Sequence, residues 1–510
     1  MKVCLIEPSK FVSLTNFVST ISMPPIGLAY IAAAIREAGH DVSVVDGPGS
    51  APRSYHMFED KVRIRGLTQD QIIENIPSDT QVIGLGCMFT SHWVYARELA
   101  SKIRERFPKA YLLMGGEHVT GFPEFSLEQA PLDSVVMGEG EETIIQLLEH
   151  VEKNLPLDDV CGIAYKDSEG VVKVNPRRQR IKEIDSISQP AWDLFDIKKY
   201  NEVNQPHGSS QGKFMPMLAT RGCPFSCTFC TSPNMWTTEW IPRDHKLVVN
   251  EMQEYIKLYG TTDFQFEDLT AIVRKDWIID FCDEIIQRKM EITFQLPSGT
   301  RSEGIDFEVA EKLKKAGCHE FSFAPESGDP RILKKIKKKV NLPSLYDSAR
   351  SALKAGINVG CFFIIGFPED DYQSVLKTYA AIVKCAWFGF TNVNLNAYSP
   401  QPNTESFKML QRMGVITEFD DKYLMSLFTF QDFGAKKTSY NSRFGDWELS
   451  LMVNFGAFLF YVIYFLRKPY RIIQLFSDLQ SNSASNKSTK MAKSFFKDAF
   501  TIVKNKLIKT

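Results

Sequence analysis

Three closely spaced cysteines constrain this chain more than any other feature of its sequence. Cys223, Cys227 and Cys230 have three and then two residues between them. The apolar run 214–219 before them predicts a short buried strand, which ends before Gly222. The three thiols therefore lie on one loop at the end of a strand, close enough together to bind one metal centre. Thiolate ligands select zinc, copper(I) or iron–sulfur clusters.

The number of ligands leaves the kind of metal centre open. Clusters held wholly by protein normally use four cysteines, and the next cysteine along the chain is Cys282. Three ligands on a four-iron cube would leave one iron open to a small molecule, as a catalytic zinc keeps one position open. The alternatives are a structural zinc with Cys282 or His245 as fourth ligand, and buried cysteines that bind nothing. Structural zinc sites usually use two separated ligand pairs, and the chain has no second pair of closely spaced cysteines.

The cysteine spacing, with aromatic Phe229 before the last cysteine, resembles the signature of the radical S-adenosylmethionine (radical SAM) superfamily. The resemblance implies a [4Fe–4S] cluster held by Cys223, Cys227 and Cys230, whose free iron binds the amino and carboxylate groups of SAM. It implies that reduction cleaves SAM to methionine and a 5′-deoxyadenosyl radical, which abstracts a hydrogen atom from the substrate. It also implies a partial (β/α)6 barrel with the cluster loop after its first strand.

Residues 1–151 alternate short apolar strands with helices. The predicted strands are 3–7, 42–45, 82–85, 111–114 and 134–137, and the predicted helices are 26–38, 95–107 and 144–151. This alternation predicts a doubly wound, Rossmann-like parallel sheet, in which ligands bind at the carboxyl ends of the strands. The dinucleotide fingerprint Gly-x-Gly-x-x-Gly is absent after the first strand.

Three glycine-containing strings, at 24–32, 115–118 and 138–141, stand in this order upstream of the cysteines. Together they resemble the cobalamin-binding domain that precedes many radical SAM enzymes. The resemblance implies that loops 89–93, 115–118 and 138–141 surround the cofactor. The residues that it assigns to cobalamin are Gly27, Thr90, Ser91, Gly115, Gly116, Glu117, Gly138, Glu139 and Gly140.

One part of the cobalamin pattern is missing. Proteins that ligate cobalt through histidine carry Asp-x-His-x-x-Gly, and this string does not occur here. The resemblance therefore implies a cobalt atom without a protein histidine. A packing or surface role is the first interpretation of His92 and of Trp93, and an approach of either one to the lower face of the ring is the alternative.

Residues 152–213 form a polar linker with a hairpin at 160–165 and 171–174, and residues 214–410 alternate strand and helix again. The predicted strands after the first are 264–266, 293–296, 321–323, 361–365 and 392–397. The predicted helices are 246–259, 277–288, 307–316, 342–355 and 371–387. Active groups of such barrels lie at the carboxyl ends of the strands, where polar residues gather in this chain.

SAM requires carboxylates near its amino group and a cation near its carboxylate. The resemblance places Glu267 and Asp268 in the methionine-binding motif, Glu326 at a SAM-contacting position, and Gly366 in a loosely matched glycine motif. Arg301 is the predicted partner of the SAM carboxylate. For each of these residues, a solvated loop charge or a helix cap is the alternative. Tyr398, after the sixth strand, is predicted to be structural.

Residues 411–510 predict a mainly helical C-terminal region. The segment 455–466 is apolar but too short to span a bilayer, so a core helix capping the barrel is the first interpretation. A wall for a hydrophobic substrate or a helix lying on a membrane is the alternative. Residues 481–490 read as a polar linker, and 491–510 as a basic amphipathic tail that lies on anionic lipid or docks on its own protein.

Charge and cysteine usage limit the partners and the compartment. The net charge of −1 argues against a global nucleic-acid binder. The other cysteines are scattered singly, which is typical of a reducing cytoplasm, and the N-terminus reads as a strand without a signal peptide. A lysine run is interpreted as a solvated helix face or as a docking patch for a flavodoxin or ferredoxin: Lys334, Lys335, Lys337, Lys338 and Lys339.

These observations and resemblances predict a cytoplasmic, cobalamin-dependent radical SAM enzyme, and within that family a C-methyltransferase acting on an unactivated carbon. A family member that cyclises, rearranges or oxidises its substrate is the alternative within the enzyme class. A cobalamin- or iron-sensing protein without turnover is the alternative outside it. The apolar C-terminal third favours a small hydrophobic substrate, and its tail favours peripheral membrane contact.

Overall fold

The computed structural model describes residues 1–13, 21–59, 62–428, 435–480 and 489. The strands, numbered in chain order, are β1 (Lys2–Glu7), β2 (Lys10–Ser13), β3 (Asp41–Asp46), β4 (Tyr55–Glu59), β5 (Val62–Arg65), β6 (Val82–Gly86), β7 (Tyr111–Gly115), β8 (Ser134–Val136), β9 (Ile163–Lys166), β10 (Val172–Val174), β11 (Phe214–Met217), β12 (Thr220–Arg221), β13 (Ile241–Pro242), β14 (Asp263–Phe266), β15 (Thr293–Thr300), β16 (Cys318–Glu326), β17 (Asn358–Ile365) and β18 (Asn392–Ala397).

The helices are α1 (Ile26–Glu37), α2 (Gly47–Ser50), α3 (Gln69–Glu74), α4 (Trp93–Arg106), α5 (Glu117–Gly121), α6 (Pro123–Gln129), α7 (Glu141–Lys153), α8 (Ile197–Val203), α9 (Ser232–Trp236), α10 (His245–Tyr259), α11 (Lys275–Gln287), α12 (Phe307–Lys315), α13 (Pro330–Lys335), α14 (Leu342–Lys354), α15 (Tyr372–Phe388), α16 (Glu405–Arg412), α17 (Asp421–Ser426), α18 (Asp446–Arg467) and α19 (Tyr470–Gln480).

The N-terminal part is built on a sheet with the strand order β10-β9-β8-β7-β6-β1-β3. Five of its strands, β3, β1, β6, β7 and β8, run parallel to one another. Apolar cores lie on both faces of the sheet, as the alternation of strands and helices predicted. The hairpin predicted in the linker forms, but it pairs with β8 and extends this sheet at one edge. The domain boundaries predicted from the sequence, at 1–151, 152–213, 214–410 and 411–510, remain predictions.

A small antiparallel sheet, with the order β2-β5-β4, was not predicted from the sequence. Its strands are short, and β5 alternates valine and isoleucine with two arginines. The pairing of β2 with β5 joins segments that are far apart in the chain, so no local pattern announces it. This sheet flanks the loop that follows β1.

The second part is a six-stranded parallel sheet with the sequential order β11-β14-β15-β16-β17-β18. Buried residues of α10, α11, α12, α14 and α15 join those of the strands in one apolar core, which confirms the partial (β/α)6 barrel. Between β11 and β14, the short antiparallel pair β12 and β13 brackets the cysteine loop. All six predicted strands are present, most of them longer than predicted.

The C-terminal region is helical, as predicted, and closes the barrel at β18. The apolar segment 455–466 is part of the longer helix α18, whose buried side chains pack in the barrel core. In the described part of the chain, α18 is the one helix long and apolar enough to cross a membrane by length and composition. The predicted tail 491–510 lies outside the described residues, as does the polar linker 481–490 apart from residue 489.

Candidate active site

The cysteine loop begins where the first barrel strand ends, and Asp268 holds this junction. The backbone N–H groups of Ala219 and Thr220 donate to the Asp268 carboxylate at 3.2 and 2.5 Å, and the Thr220 hydroxyl donates at 2.6 Å. Gly222 has a φ of +88°, and an added Cβ there would lie 2.0 Å from the Glu239 carbonyl oxygen. Both carboxylate oxygens of Asp268 are thus engaged within the protein, and this residue positions the loop.

Backbone hydrogen bonds fix the cysteine loop, one to a neighbouring segment and one within the loop. The Thr228 N–H donates to the Ile336 carbonyl at 3.1 Å, and the Cys230 N–H donates to the Cys227 carbonyl at 3.1 Å. All three loop cysteines are free and partly buried. Burial raises the pKa of the Cys230 thiol to about 12, so a bound metal would have to supply the charge that stabilises its thiolate at neutral pH.

A zinc site does not fit these surroundings. Cys282, the proposed fourth ligand, is buried in α11 and belongs to the barrel core together with Cys318. The other proposed ligand, His245, is the first residue of α10. Three thiols of one loop with no protein fourth ligand suit three corners of an iron–sulfur cube.

Arg301 lies beside the cysteine loop. Its guanidinium stacks on the ring of Phe225, within the loop, at 4.1 Å from the ring centroid. The same guanidinium donates to both carboxylate oxygens of Glu303, at 3.0 and 2.5 Å. The structure therefore places this predicted SAM residue at the loop, with part of its donor set already used by Glu303.

Glu326 is the last residue of β16, and Gly366 directly follows the neighbouring strand β17. The Glu326 carboxylate, in a residue with a φ of +65°, pairs with Lys338 at 2.9 Å, and both side chains are nearly buried. Both charges lie close enough to Cys227 to act on its thiol. Gly366 packs against α18, since an added Cβ would lie 2.7 Å from Leu449. A charged pair and a close helix contact thus border the carboxyl end of the barrel.

The inside of the barrel contains a segment that sequence reasoning treated as a linker. The Gly208 N–H donates to the side chain of Gln265, and the Ser209 N–H donates to that of Gln295, each at 3.1 Å. These glutamines alternate along their strands with phenylalanines that pack under the helices, so they face the barrel interior. An added Cβ at Gly208 would lie 1.7 Å from Gln295 Oε1, so a larger residue there would displace the Gln295 amide.

This segment brings His207 to Glu267. His207 Nδ1 lies 2.9 Å from Glu267 Oε2, and Oε1 of the same carboxylate is buried without a protein partner. Sequence reasoning missed His207, and the available signal was the run of small residues after it, which can thread a barrel. One Glu267 oxygen is therefore oriented by the protein, and the other is left for a ligand.

The glycine loops of the N-terminal sheet border open space at its carboxyl edge. An added Cβ at Gly27 or Gly115 would meet no atom within 4 Å, whereas one at Gly116, whose φ is +121°, would lie 2.4 Å from the Cys87 carbonyl oxygen. Met88 and Phe89 are more than half exposed at the same edge. This edge combines close backbone approach with exposed apolar side chains, which fits a large, flat cofactor.

The two open edges meet at Glu117. Burial raises the pKa of this carboxyl, which lies in the first turn of α5 and interacts with Thr231 directly after the last cysteine. The Thr120 hydroxyl donates to the Gly116 carbonyl at 2.8 Å, accepts from the Gly138 N–H at 3.0 Å, and lies 3.6 Å from Met235 Sδ of α9. The glycine loops of one sheet and the cysteine loop of the other therefore share one interface.

This chain is a cobalamin-binding radical SAM enzyme. Residues 217–382 match the radical SAM superfamily, and residues 15–148 match the B12-binding domain. Its cofactors are accordingly a [4Fe–4S] cluster, SAM and cobalamin.

Relatives support this membership. The chain is 32% identical over 381 residues to an uncharacterized methyltransferase of Pyrococcus horikoshii, a match that covers 74% of this chain and 77% of that protein. It is 28% identical over 436 residues to cytidylyl-2-hydroxyethylphosphonate methyltransferase of Streptomyces wedmorensis, covering 79% and 80%. The same fold occurs in the cobalamin-dependent radical SAM enzyme OxsB with aqua-cobalamin and SAM bound, at a TM-score of 0.69, 16% identity, and coverage of 99% of this chain and 79% of that chain.

Two residues that were assigned to cobalamin from the sequence, Glu139 and Gly140, contact other parts of the protein instead. The Glu139 carboxylate accepts from Arg180 Nε at 2.6 Å, from the Ile181 N–H at 3.1 Å and from Arg221 Nη1 at 3.2 Å. An added Cβ at Gly140 would lie 2.7 Å from Ile31 of α1. Both residues thus position the loop, while Gly27, Gly115 and the partly exposed Thr90, Ser91 and Glu117 face the open edge.

The histidines near this edge are uncharged packing residues. His118 stacks on Trp93 at 4.5 Å between centroids, and its Nδ1 lies 3.2 Å from the Thr90 hydroxyl. Burial lowers the pKa of both His118 and His92 to about 3. Trp93 is fully buried, which supports a packing role for it. His92 packs against Phe11 at 5.3 Å.

Proposed function

We propose that this enzyme transfers a methyl group to a carbon atom of a small molecule. The observation that carries the proposal is the shared interface at Glu117 and Thr231, because a radical formed at one loop and a methyl group held at the other must reach one substrate. When bound, the cluster with SAM supplies a 5′-deoxyadenosyl radical and cobalamin supplies the methyl group. The two relatives described above are both named as methyltransferases.

The chain's own residues would bind and orient these groups. Cys223, Cys227 and Cys230 hold the cluster. SAM is bound by the unpartnered oxygen of Glu267 and by the polar groups that border the barrel mouth: Arg301, Glu326, Lys338 and the backbone at Gly366. Cobalamin is bound at the open glycine edge by Gly27, Thr90, Ser91, Gly115, Gly116, Glu117 and Gly138. Asp268, Glu139 and Gly140 act indirectly, by fixing the loops that carry these residues.

Anaerobic reconstitution tests the proposal. The protein is loaded with iron, sulfide and a corrinoid, supplied with SAM, a low-potential reductant and candidate substrates, and the products are identified by mass. We expect 5′-deoxyadenosine together with a product that is heavier by one CH2 unit. A product that has lost hydrogen or gained oxygen would instead indicate cyclisation or oxidation. Absence of 5′-deoxyadenosine from the loaded, reduced protein would support a sensor without turnover.

We propose further that the electron donor is an acidic flavodoxin or ferredoxin that docks on the lysine run. The run passes the cluster loop, since Cys227 Sγ lies 4.0 Å from the Lys337 carbonyl oxygen. Lys337 pairs with Glu405, whereas Lys334 and Lys335 are exposed. Lys334→Glu with Lys335→Glu should slow turnover with flavodoxin several-fold and leave turnover with dithionite unchanged. Equal slowing with both reductants would contradict this docking site.

We propose a cytoplasmic enzyme whose substrate is hydrophobic and whose basic tail 491–510 contacts membranes. The five lysines and one aspartate of the tail support attraction to anionic lipid. Deleting residues 481–510 should weaken vesicle binding without changing 5′-deoxyadenosine formation. Unchanged vesicle binding would remove the tail from this proposal.

A further inference from the structure

We propose that the outer face of α18, with neighbouring side chains of α15 and α19, lies flat on an anionic lipid bilayer. The apolar side chains on this face, called the apolar stripe below, are Trp447, Leu451, Phe455, Phe458 and Leu466, and they are 71, 63, 51, 63 and 71% exposed. Successive members of the stripe are four, four, three and eight positions apart in the sequence, so they lie on one side of the helix. At about 1.5 Å per residue the stripe is roughly 28 Å long.

The opposite face of α18 is fixed to the barrel. Leu449, Val453, Phe460 and Tyr464 are nearly buried there, and an added Cβ at Gly456 would lie 2.5 Å from Leu395 of β18. Lipid therefore cannot surround this helix unless it leaves the barrel. Although α18 is long and apolar enough to cross a bilayer, this packing favours a helix that lies in the membrane interface.

The exposed apolar surface continues beyond α18. Ile473 and Phe476 of α19 are 73 and 62% exposed, and Leu376 and Trp387 of α15 are 65 and 60% exposed. The guanidinium of Arg467, at the end of α18, lies 6.0 Å from the ring centroid of Trp387 and so connects two of these helices. Single exposed apolar side chains are ordinary, but a connected surface of this size indicates a partner.

The composition of the surface indicates lipid as the partner. No Asp, Glu, Lys or Arg occurs from 449 to 466, whereas protein interfaces keep a polar rim. Exposed Trp447, Trp387 and Tyr470 stand at the ends of the surface, and such amphipathic rings are enriched where membrane meets water. Arg467 and Lys468 follow the stripe directly, and the lysine-rich tail begins after α19. Arg467 and Lys468 put positive charge at the C-terminal end of the stripe, where it is complementary to an anionic bilayer. At the other end, Asp446 pairs with Lys436 and Glu448 accepts from the Tyr372 hydroxyl.

The stripe begins beside the mouth of the barrel. Leu449, in the first turns of α18, packs on Gly366 at the carboxyl end of β17, and Asn441 donates to the neighbouring Phe367 carbonyl at 2.6 Å. A bilayer on this face would border the proposed active site, where a hydrophobic substrate could enter from the lipid. This consequence rests on the proposed function, but the membrane contact itself does not.

Vesicle flotation of the full-length protein tests the contact. The probes are vesicles of phosphatidylcholine alone and of phosphatidylcholine with phosphatidylglycerol. We expect flotation with the anionic vesicles, weaker flotation with the neutral ones, and further weakening in salt. The triple variant Leu451→Ser, Phe455→Ser, Phe458→Ser should lower partitioning into anionic vesicles by at least about tenfold. Since these side chains are exposed, the variant should unfold at the same denaturant concentration as the wild type.

A matched control replaces exposed apolar residues on other helices. Leu247→Ser, Leu258→Ser and Ile286→Ser, on α10 and α11, should leave flotation unchanged. Flotation of the stripe variant equal to that of the wild type would overturn the proposal. So would a wild-type dimer in solution that this variant converts to monomer, because the stripe would then be a protein interface. Formation of 5′-deoxyadenosine is measured on the same stripe variant. A variant that still forms 5′-deoxyadenosine but no longer floats with vesicles has lost the membrane contact and not the proposed function.

Discussion

Arg221 Nη2 lies 2.6 Å from Glu141 Oε1. Arg221 directly precedes the cysteine loop, and Glu141 lies in the first turn of α7, so this contact joins the barrel to the N-terminal part of the chain. Arg221 Nη1 also reaches Glu139, whose carboxylate is held by Arg180 from the linker. These side chains are nearly buried, so two arginines and two glutamates neutralise each other away from water. The network holds the cobalamin loops and the cluster loop in one arrangement.

Replacing Arg221 should therefore weaken the whole molecule. Arg221→Met leaves two buried carboxylates with one arginine, and we expect a loss of about 3–5 kcal/mol in the free energy of unfolding. Denaturant unfolding of the cluster-free protein measures it. The control is Arg97→Met, which removes a more exposed ion pair with Asp421 and should cost at most about 1 kcal/mol. Equal losses in the two variants would contradict the role given to the network.

The cluster ligands can be tested one at a time. Cys223→Ala, Cys227→Ala and Cys230→Ala should each lose bound iron and sulfide after reconstitution and form no 5′-deoxyadenosine, because each removes one corner ligand. Cys161→Ala, a partly exposed free cysteine away from the loop, should retain both properties. Full iron content and radical formation in any of the three loop variants would show that its thiol is not a ligand.

Two neighbouring glycines should respond differently to one added methyl group. In Gly116→Ala the methyl group meets the Cys87 carbonyl, and the residue keeps a positive φ. We therefore expect a loss of about 1–3 kcal/mol in the free energy of unfolding. In Gly115→Ala the methyl group enters open space, so stability should be nearly unchanged while corrinoid content after reconstitution falls. Denaturant unfolding and corrinoid absorbance measure the two effects. Full corrinoid content in Gly115→Ala would place the ring elsewhere.

His207 should act through Glu267. His207→Ala frees the second carboxylate oxygen to move, and we expect SAM to bind up to about tenfold more weakly, the value of one oriented hydrogen bond. His207→Gln, which can still donate to Glu267, should restore most of the affinity. Calorimetric titration of the cluster-loaded protein with SAM measures it. Wild-type affinity in His207→Ala would show that the contact does not serve SAM binding.

Buried Asp46 should make stability depend on pH. Burial raises its pKa to about 6, although it accepts from the Gly49 N–H and the Tyr200 hydroxyl. A raised carboxyl pKa favours the protonated folded state, so this group's contribution falls as pH rises from about 4 to 6, by up to about 3 kcal/mol. In Asp46→Asn that decrease should be missing. Unfolding of both proteins by urea across this pH range measures it, and identical pH dependence would contradict the assignment.

Local patterns predicted most of the elements. The strands of both sheets are short apolar runs bounded by glycine or polar residues, and their helices carry apolar residues at helical spacing, so each could be found within its own segment. The sheet of β2, β4 and β5 was missed because its pairing joins distant segments of mixed polarity. The length of α18 was underestimated because Asn454 interrupts the apolar run without interrupting the helix.

The residues of the candidate site likewise fall into those that local patterns predicted and those that they missed. Cys223, Cys227 and Cys230 were predicted from their spacing to share one metal centre, because three thiols on one loop must be close in space. His207 was missed, and Glu139 was assigned to cobalamin, because the partners of both lie in other segments: Glu267, directly after β14, for the first, and Arg180 and Arg221 for the second. Which polar groups stay free for a ligand is a property of these long-range pairs.

By itself, the sequence predicted the cysteine loop and the two α/β halves, since each depends on residues that are close together in the chain, and its resemblance to known families predicted the cofactors. Only the tertiary structure decided which of the predicted residues face the open edges, which are used up in buried ion pairs, and which face of α18 is left outside. The physical reason is that burial and charge pairing are settled when distant segments pack together, and no local pattern specifies them.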